Sequence, residues 1–222
     1  MLTKILKGSH LRKSRLHDHK GRIVPFNRML SNMPRAAVSG LLRVALDIRP
    51  PIPWISYDAA KVISNFLDPS KTVLEFGSGM STLWYARQVG KVVSVESNRQ
   101  WYDRMKDIIS ERGINNIEYR FAKNEDEYCL IPEGHDGFDF IMVDGSFRDS
   151  CTKNALAHLK PGGMYYLDNS DRMNFPDSSE ARAGSMALEY ARQYGCSVTC
   201  FTDFAPTQFF AQEGMMIVKP AG

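Results

Sequence analysis

The sequence predicts an α/β domain: a doubly wound, seven-stranded, mostly parallel sheet that ends in an antiparallel C-terminal hairpin strand. Three observations predict it. Apolar runs of strand length alternate with segments of helical periodicity from residue 72 onward. Two glycines directly follow the first such run, where a parallel sheet turns from strand into helix. The last two apolar runs have no helical segment between them, so they should pair antiparallel at one edge.

Residues 1–33 show little hydrophobic periodicity and no strong strand signal. From Pro34, a first-turn residue, Ala37, Val38, Leu41, Leu42, Ala45 and Ile48 recur at helical spacing. Pro50, Pro51 and Pro53 stop that helix. Ser56 is a fitting N-cap for a second helix that runs to about Phe66. Thr72–Phe76 reads as a buried strand, and a helix follows the glycine turn from about Ser81 to Gln88. Val92–Val95 is the second strand, Arg99 to Arg112 a helix, Ile117–Phe121 the third strand and Phe138–Val143 the fourth. Thr152–Leu159 is a helix ended by Pro161, Gly162 and Gly163. Met164–Leu167 is the fifth strand, Ser179–Tyr194 a helix, and Ser197–Thr202 and Met215–Lys219 are the closing strands.

A chain of 222 residues can bury one sizeable core. Its 43% hydrophobic and 24% charged residues exclude a disordered, collagenous or membrane-bundle composition. The net charge of +3 hides an asymmetry. Residues 1–50 carry eleven Lys or Arg against Asp18 and Asp47, and the remainder carries seventeen against twenty-three acids. The expected division is 1–53, a basic arm and helix, and 54–222, the α/β domain. Such an arm attracts phosphate, an anionic membrane surface or an acidic partner, and its plain alternative is a solvated leader.

Cys129, Cys151, Cys196 and Cys200 form no CxxC pair and read as reduced thiols of a cytoplasmic protein. Cys196 and Cys200 are spaced to share one face of a strand. No secretory signal is visible, and the most apolar stretch, 36–48, falls short of the ~20 residues needed to span a bilayer. Peripheral membrane contact through the arm stays open, as does a homodimer. No aromatic–basic alternation suggests a nucleic-acid module.

The stretch from Val73 to Thr82 places Gly77 and Gly79 at the end of the first strand, where backbone can approach a ligand and adopt positive φ. Glu96 ends the second strand, where a carboxylate can accept hydrogen bonds from both ribose hydroxyls of a nucleoside. The bland alternative is a tight turn with a solvated Glu. The run E-F-G-S-G-x-S-T, Glu75 to Thr82, resembles motif I of the class I S-adenosylmethionine-dependent methyltransferases, over about Trp54 to Lys219. That resemblance implies a Rossmann-like fold and S-adenosylmethionine as cofactor. It assigns Glu75, Gly77, Ser78 and Gly79 to the methionine moiety, with the amides of Ser81 and Thr82 facing its carboxylate, and Glu96 to the ribose. For the adenine it offers Asn124, Glu125 or Asp126, three neighbours of which Asp126 stands for the position.

Asp144 ends the fourth strand and Asp168-Asn169 the fifth. This set resembles the metal site of the catechol and caffeoyl-CoA O-methyltransferases and the acidic site of macrocin-type sugar O-methyltransferases. The resemblance implies Mg²⁺ on Asp144, Asp168 and Asn169, where it would lower the pKa of an acceptor hydroxyl. Without metal, Asp144 contacts cofactor or substrate alone, and Asp168 and Asn169 are turn formers. The catechol-type lysine, three residues beyond the first Asp, is here Phe147, and Arg148 is too weak an acid to act as base. The general base is thus unassigned. Asp144 and Arg148 are the catalytic candidates, with Arg148 either binding a substrate anion or pairing with Asp149 or Asp171.

The implied reaction is methyl transfer to a hydroxyl oxygen of a small molecule or sugar. The loops after the fourth, fifth and sixth strands, including Phe204–Gln212, and the N-terminal helices are expected to set specificity. An NAD-linked oxidoreductase is the first alternative, against which Thr82 fills the third glycine place. The second is an interaction protein that keeps the fold without chemistry. His17-Asp18-His19 is set aside as an incidental metal trap, and His135 as a weak base candidate in a loop near the rim. Trp54 and Tyr57 either cover the ligands or pack in the core.

Overall fold

In the computed structural model, which describes residues 12–222, every expected strand forms. Strands β1 (Thr72–Phe76), β2 (Lys91–Glu96), β3 (Ile117–Phe121), β4 (Phe138–Val143), β5 (Leu159–Leu167), β6 (Ser197–Phe204) and β7 (Ala211–Val218) make one sheet in the order β3-β2-β1-β4-β5-β7-β6. The first five are parallel. β7 runs antiparallel between β5 and β6, so the hairpin folds its second strand inward and leaves β6 at the edge. Strand order reverses between β1 and β4, and a crevice opens there at the carboxyl ends of the strands.

Among the described residues seven α-helices accompany the strands: α1 (Phe26–Leu46), α2 (Tyr57–Phe66), α3 (Met80–Ala86), α4 (Arg99–Glu111), α5 (Glu125–Tyr128), α6 (Arg148–Ala155) and α7 (Ser179–Tyr194). Because strand side chains alternate, neighbouring residues feed opposite cores. Leu74, Phe76, Ile141 and Val143 pack with Ala155 of α6 and with Ala183 and Ala187 of α7. Val73, Phe140 and Met142 meet Ile55, Ala59, Ile63 and Tyr85 on the other face. Ser56 caps α2 as expected, accepting from the Ala59 amide at 3.4 Å.

Four expectations are corrected. First, α1 begins at Phe26, behind Pro25 with φ −53°, and Pro34 lies inside it on a solvent-facing turn. A carbonyl freed there can bond water, so the proline is tolerated. The apolar residues of α1 do not form core either: Val38, Leu41 and Leu42 are exposed, and Asn32, Ala36 and Gly40 are buried. Periodicity reveals an apolar face without revealing which way it turns. Here the small, polar face docks on β6, where Asn32 Nδ2 donates to Asp203 Oδ2 at 2.7 Å.

Second, α6 starts at Arg148, and β5 starts at Leu159, so Pro161, Gly162 and Gly163 lie inside a strand. That half of β5 precedes its pairing with β7, and its register against β4 slips between Phe138 and Phe140, so Pro161 deprives no regular ladder of a donor. Third, Cys200 is exposed and Cys196 half-buried, because the first half of β6 faces solvent. The buried thiols are Cys129 and Cys151, which lie 2.8 Å apart.

Fourth, residues 12–25 are no solvated leader; Lys4 and Lys7 lie outside the described residues. The chain forms a tight turn in which the Gly21 amide donates to the Asp18 carbonyl at 3.1 Å, with φ +78° at Gly21. Asp18 is fully buried and accepts from the Arg22 amide at 2.9 Å and from Thr202 Oγ1 at 3.1 Å. Lys20 and Arg22 both pair with buried Glu213 of β7. Among the described residues, no helix is long and apolar enough to cross a membrane.

Candidate active site

The crevice is built from the loops that leave β1, β2 and β4. Gly77 adopts φ +99°, and a Cβ there would lie 2.7 Å from the Gly145 Cα, so a side chain would force the loops after β1 and β4 apart. Gly79 differs from expectation. Its φ of −171° is ordinary extended backbone, and the nearest atom to an added Cβ is Ser81 Oγ at 3.6 Å. Gly79 therefore keeps the crevice open rather than shaping the turn.

Glu75 lies beneath this turn, fully buried and outside the crevice wall. Its carboxylate accepts from Ser81 Oγ and Thr82 Oγ1 at 2.5 Å each and from Ser94 Oγ at 2.7 Å. Burial raises its pKa to about 7 against the pull of those hydroxyls. Thr82 is buried too, and its Oγ1 accepts from the Gly79 amide at 3.0 Å. Glu75 and Thr82 thus hold the turn from behind, while Gly77, Ser78, Gly79 and Ser81 line the crevice.

Glu96 enters from the end of β2. Its Oε1 accepts from the amides of Ser97 and Asn98 at 2.8 and 2.7 Å, and its Oε2 accepts from Ser78 Oγ at 3.1 Å. The Trp101 indole donates to the Ser78 carbonyl at 2.8 Å and walls one side. Together these residues line a cavity of about 330 Å³, to which Arg49, Trp54, Tyr128 and Asp144 also contribute. Asp126 is not among them. Asn124 caps α5 by accepting from the Glu127 amide at 2.9 Å, residues 125–127 face solvent, and Tyr128 turns inward instead.

At the ends of β4 and β5 the structure brings Asp144, Asp168 and Asn169 together as expected, around Arg148. The Arg148 guanidinium donates to Asp144 Oδ1 and to Asn169 Oδ1 at 3.2 Å each, and also to the Asp168 carbonyl. It does not pair with Asp149, which bonds Arg182 at 2.6 Å, or with Asp171, which accepts from the His19 amide at 3.0 Å. Burial raises the pKa of Asp144, and Arg148 offsets part of that. Asp168 is driven well above the carboxylate range, first by burial and then by Asp144. The donor set does not fit a divalent cation, because the guanidinium already satisfies two of the three proposed ligands. No group of three or more His, Cys, Asp or Glu among the described residues is placed to hold a metal ion.

A second cavity of about 420 Å³ opens beyond Asp144. Asp144, Asp168, Asn169 and Arg172 form its floor, Gln208, Phe210 and Gln212 one wall, and Arg12, His19 and Trp54 the rest. Three residues of the segment Phe204–Gln212 thus line this cavity. The turn at 18–21 presents His19 here, edge-on to Phe175 with ring centroids 5.6 Å apart, and Arg12 lies over the Phe210 ring at 4.2 Å. Sequence reasoning missed Arg12 and His19, because only the tertiary fold carries the arm to this rim. His17 bonds Ser14 instead, at 2.7 Å. His135 lies away from the rim, beside Lys91 and Glu118 at the amino ends of the strands.

No protein-family model matches the chain, and no curated protein matches it. Solved structures do. An O-methyltransferase from Bacillus cereus in complex with SAH is 20% identical, with a TM-score of 0.58 over 84% of this chain and 98% of that one. The O-methyltransferase TomG from Streptomyces achromogenes, involved in tomaymycin synthesis and bound to SAM, is also 20% identical, at 0.58 over 84% and 89%. An rRNA methylase from Streptococcus thermophilus is 16% identical, at 0.55 over 80% and 100%. At these identities the likeness is one of fold: the chain has the Rossmann-like fold of the class I S-adenosylmethionine-dependent methyltransferases.

Proposed function

We propose that the chain transfers a methyl group from S-adenosylmethionine to a hydroxyl oxygen of a small polar molecule or sugar. The observation that carries this reading is the pair of cavities that share one wall. Trp54 and Asp144 line both, so a nucleoside in the first and an acceptor in the second would meet at Asp144.

When bound, S-adenosylmethionine supplies an electrophilic methyl group on a sulfonium. The chain's residues have three tasks. Glu96, fixed by two backbone amides and Ser78, would accept hydrogen bonds from the ribose hydroxyls. Gly77 to Ser81 would receive the methionine end. Asp144, the carboxylate common to both cavities, would orient the acceptor hydroxyl and take its proton as the carbon–oxygen bond forms. Arg148 is a positioning residue, since its guanidinium holds Asp144 and Asn169 together where a metal-dependent enzyme would place a cation. The amides and carboxyls of Asn169, Gln208, Gln212 and Asp168 beside the Phe210 ring suit a hydroxylated acceptor.

Calorimetric titration with S-adenosylhomocysteine, with NAD⁺ as comparison, tests the cofactor. Micromolar binding is expected, and Glu96→Ala should weaken it roughly 10- to 100-fold, the loss of hydrogen bonds to a charged group. Binding of NAD⁺ in its place would favour the oxidoreductase. With an acceptor in hand, chelators should leave turnover unchanged.

A further inference from the structure

We propose that the Ser78 hydroxyl is a second contact for the ribose of the bound nucleoside, and that Tyr119 holds it in place. The inference rests on the reading of Glu96 as the ribose carboxylate. A ribose offers two neighbouring hydroxyls, and a carboxylate has about four lone-pair sites with which to accept them. Glu96 has already committed three of its sites. Its Oε1 accepts from the amides of Ser97 and Asn98 at 2.8 and 2.7 Å, and its Oε2 accepts from Ser78 Oγ at 3.1 Å. The carboxylate therefore has room for one ribose hydroxyl, and the other needs a neighbouring acceptor.

Ser78 is that neighbour. It lines the cavity while only 9% exposed. A hydroxyl has one proton and two lone pairs. The Ser78 proton goes to Glu96, and one lone pair accepts from the Tyr119 hydroxyl at 2.7 Å. One lone pair remains, next to the site still open on Glu96. The methionine end is left with the Ser78 amide alone, since the Ser78 carbonyl accepts from the Trp101 indole at 2.8 Å. Tyr119 sets the direction of the chain of hydrogen bonds. It stands behind Ser78, outside the cavity wall, with its ring stacked on Tyr102 of α4 at 4.6 Å between centroids. Burial raises the phenol above its ordinary pKa, so it keeps its proton and donates it to Ser78. Tyr119 is thus a positioning residue that turns the Ser78 proton toward Glu96 and leaves the second lone pair for the ligand.

Calorimetric titration of the full chain with S-adenosylhomocysteine and with its 2′-deoxy and 3′-deoxy analogues tests this. The analogues should bind unequally. The one that lacks the carboxylate-bound hydroxyl should lose roughly 10- to 100-fold, and the one that lacks the Ser78-bound hydroxyl roughly 3- to 10-fold. Ser78→Ala should weaken S-adenosylhomocysteine by about 3- to 10-fold and leave the second analogue unaffected. Tyr119→Phe should follow the same pattern by a smaller factor and add nothing in the double variant with Ser78→Ala. A tyrosine that serves packing alone would weaken all three ligands alike. Unchanged thermal transitions will show that the variants fold. Equal losses for the three ligands, or no loss in Ser78→Ala, overturn the proposal even where Glu96→Ala still weakens binding. If Glu96→Ala binds as the parent does, the reading of Glu96 falls and the proposal falls with it.

Discussion

Glu75 and Glu96 end on adjacent parallel strands, yet burial gives them different work. Glu96 keeps its carboxylate at the cavity, whereas Glu75 spends its own on three hydroxyls under the turn. Because burial raises the Glu75 pKa from 4.5 to about 7, the folded state holds a proton that the unfolded state releases first. Stability from this group is therefore full below pH 4.5 and declines as pH rises toward 7. Glu75→Gln should flatten that decline by on the order of 3 kcal/mol at neutral pH, read as the difference between denaturation midpoints across pH. Arg148 makes the opposite case, a charge kept at the site by its partners. Arg148→Met strips a buried cation from Asp144 and the Asp168 carbonyl and should cost about 3–5 kcal/mol in urea unfolding, the cost of breaking a buried pair. A loss under 1 kcal/mol would mean that the pair is effectively solvated.

Among the elements, the strands were legible and α1 was not. Strand length and apolar content identify β1, β2 and β4 closely, since a strand buried on both faces is mostly apolar. The helix pattern in α1 was equally clear and misled about burial, because the contact that seats it is made by small residues. Gly40 illustrates this: a Cβ there would lie 2.6 Å from the Phe209 ring in the loop before β7. Gly40→Val should cost about 1–3 kcal/mol in thermal or urea unfolding, the usual cost of overpacking. It should also widen the second cavity's rim, since Phe210 follows Phe209. Cofactor binding should survive, because no residue of α1 lines the first cavity.

At the scale of the whole molecule, loops from both sides of the switch point line one cavity, so a ligand bound there should stabilise the chain as a unit. S-adenosylhomocysteine at about one hundred times its Kd should add about 2.7 kcal/mol and raise the thermal midpoint by on the order of 5–10 °C. An equal shift with NAD⁺ would count against the proposed cofactor.

By itself, the sequence determined the seven strands, the glycine turn and the placement of Asp144 and of Asp168-Asn169 at strand ends. These follow from local patterns: burial periodicity along a strand, a turn that requires glycine at Gly77, and polar residues at strand ends. The tertiary structure alone decided that Asp126 stays in solvent, that Glu75 and Thr82 brace the turn from behind, and that Arg148 occupies the centre of the acidic rim. It also brought His19 and Arg12 from the arm to the second cavity and turned the apolar face of α1 outward. Each of these depends on what lies across a long sequence separation, such as Asp171 facing His19 or Glu213 holding Lys20. A side chain's chemistry is written in its own residue, but its partner is chosen by the packing of distant elements.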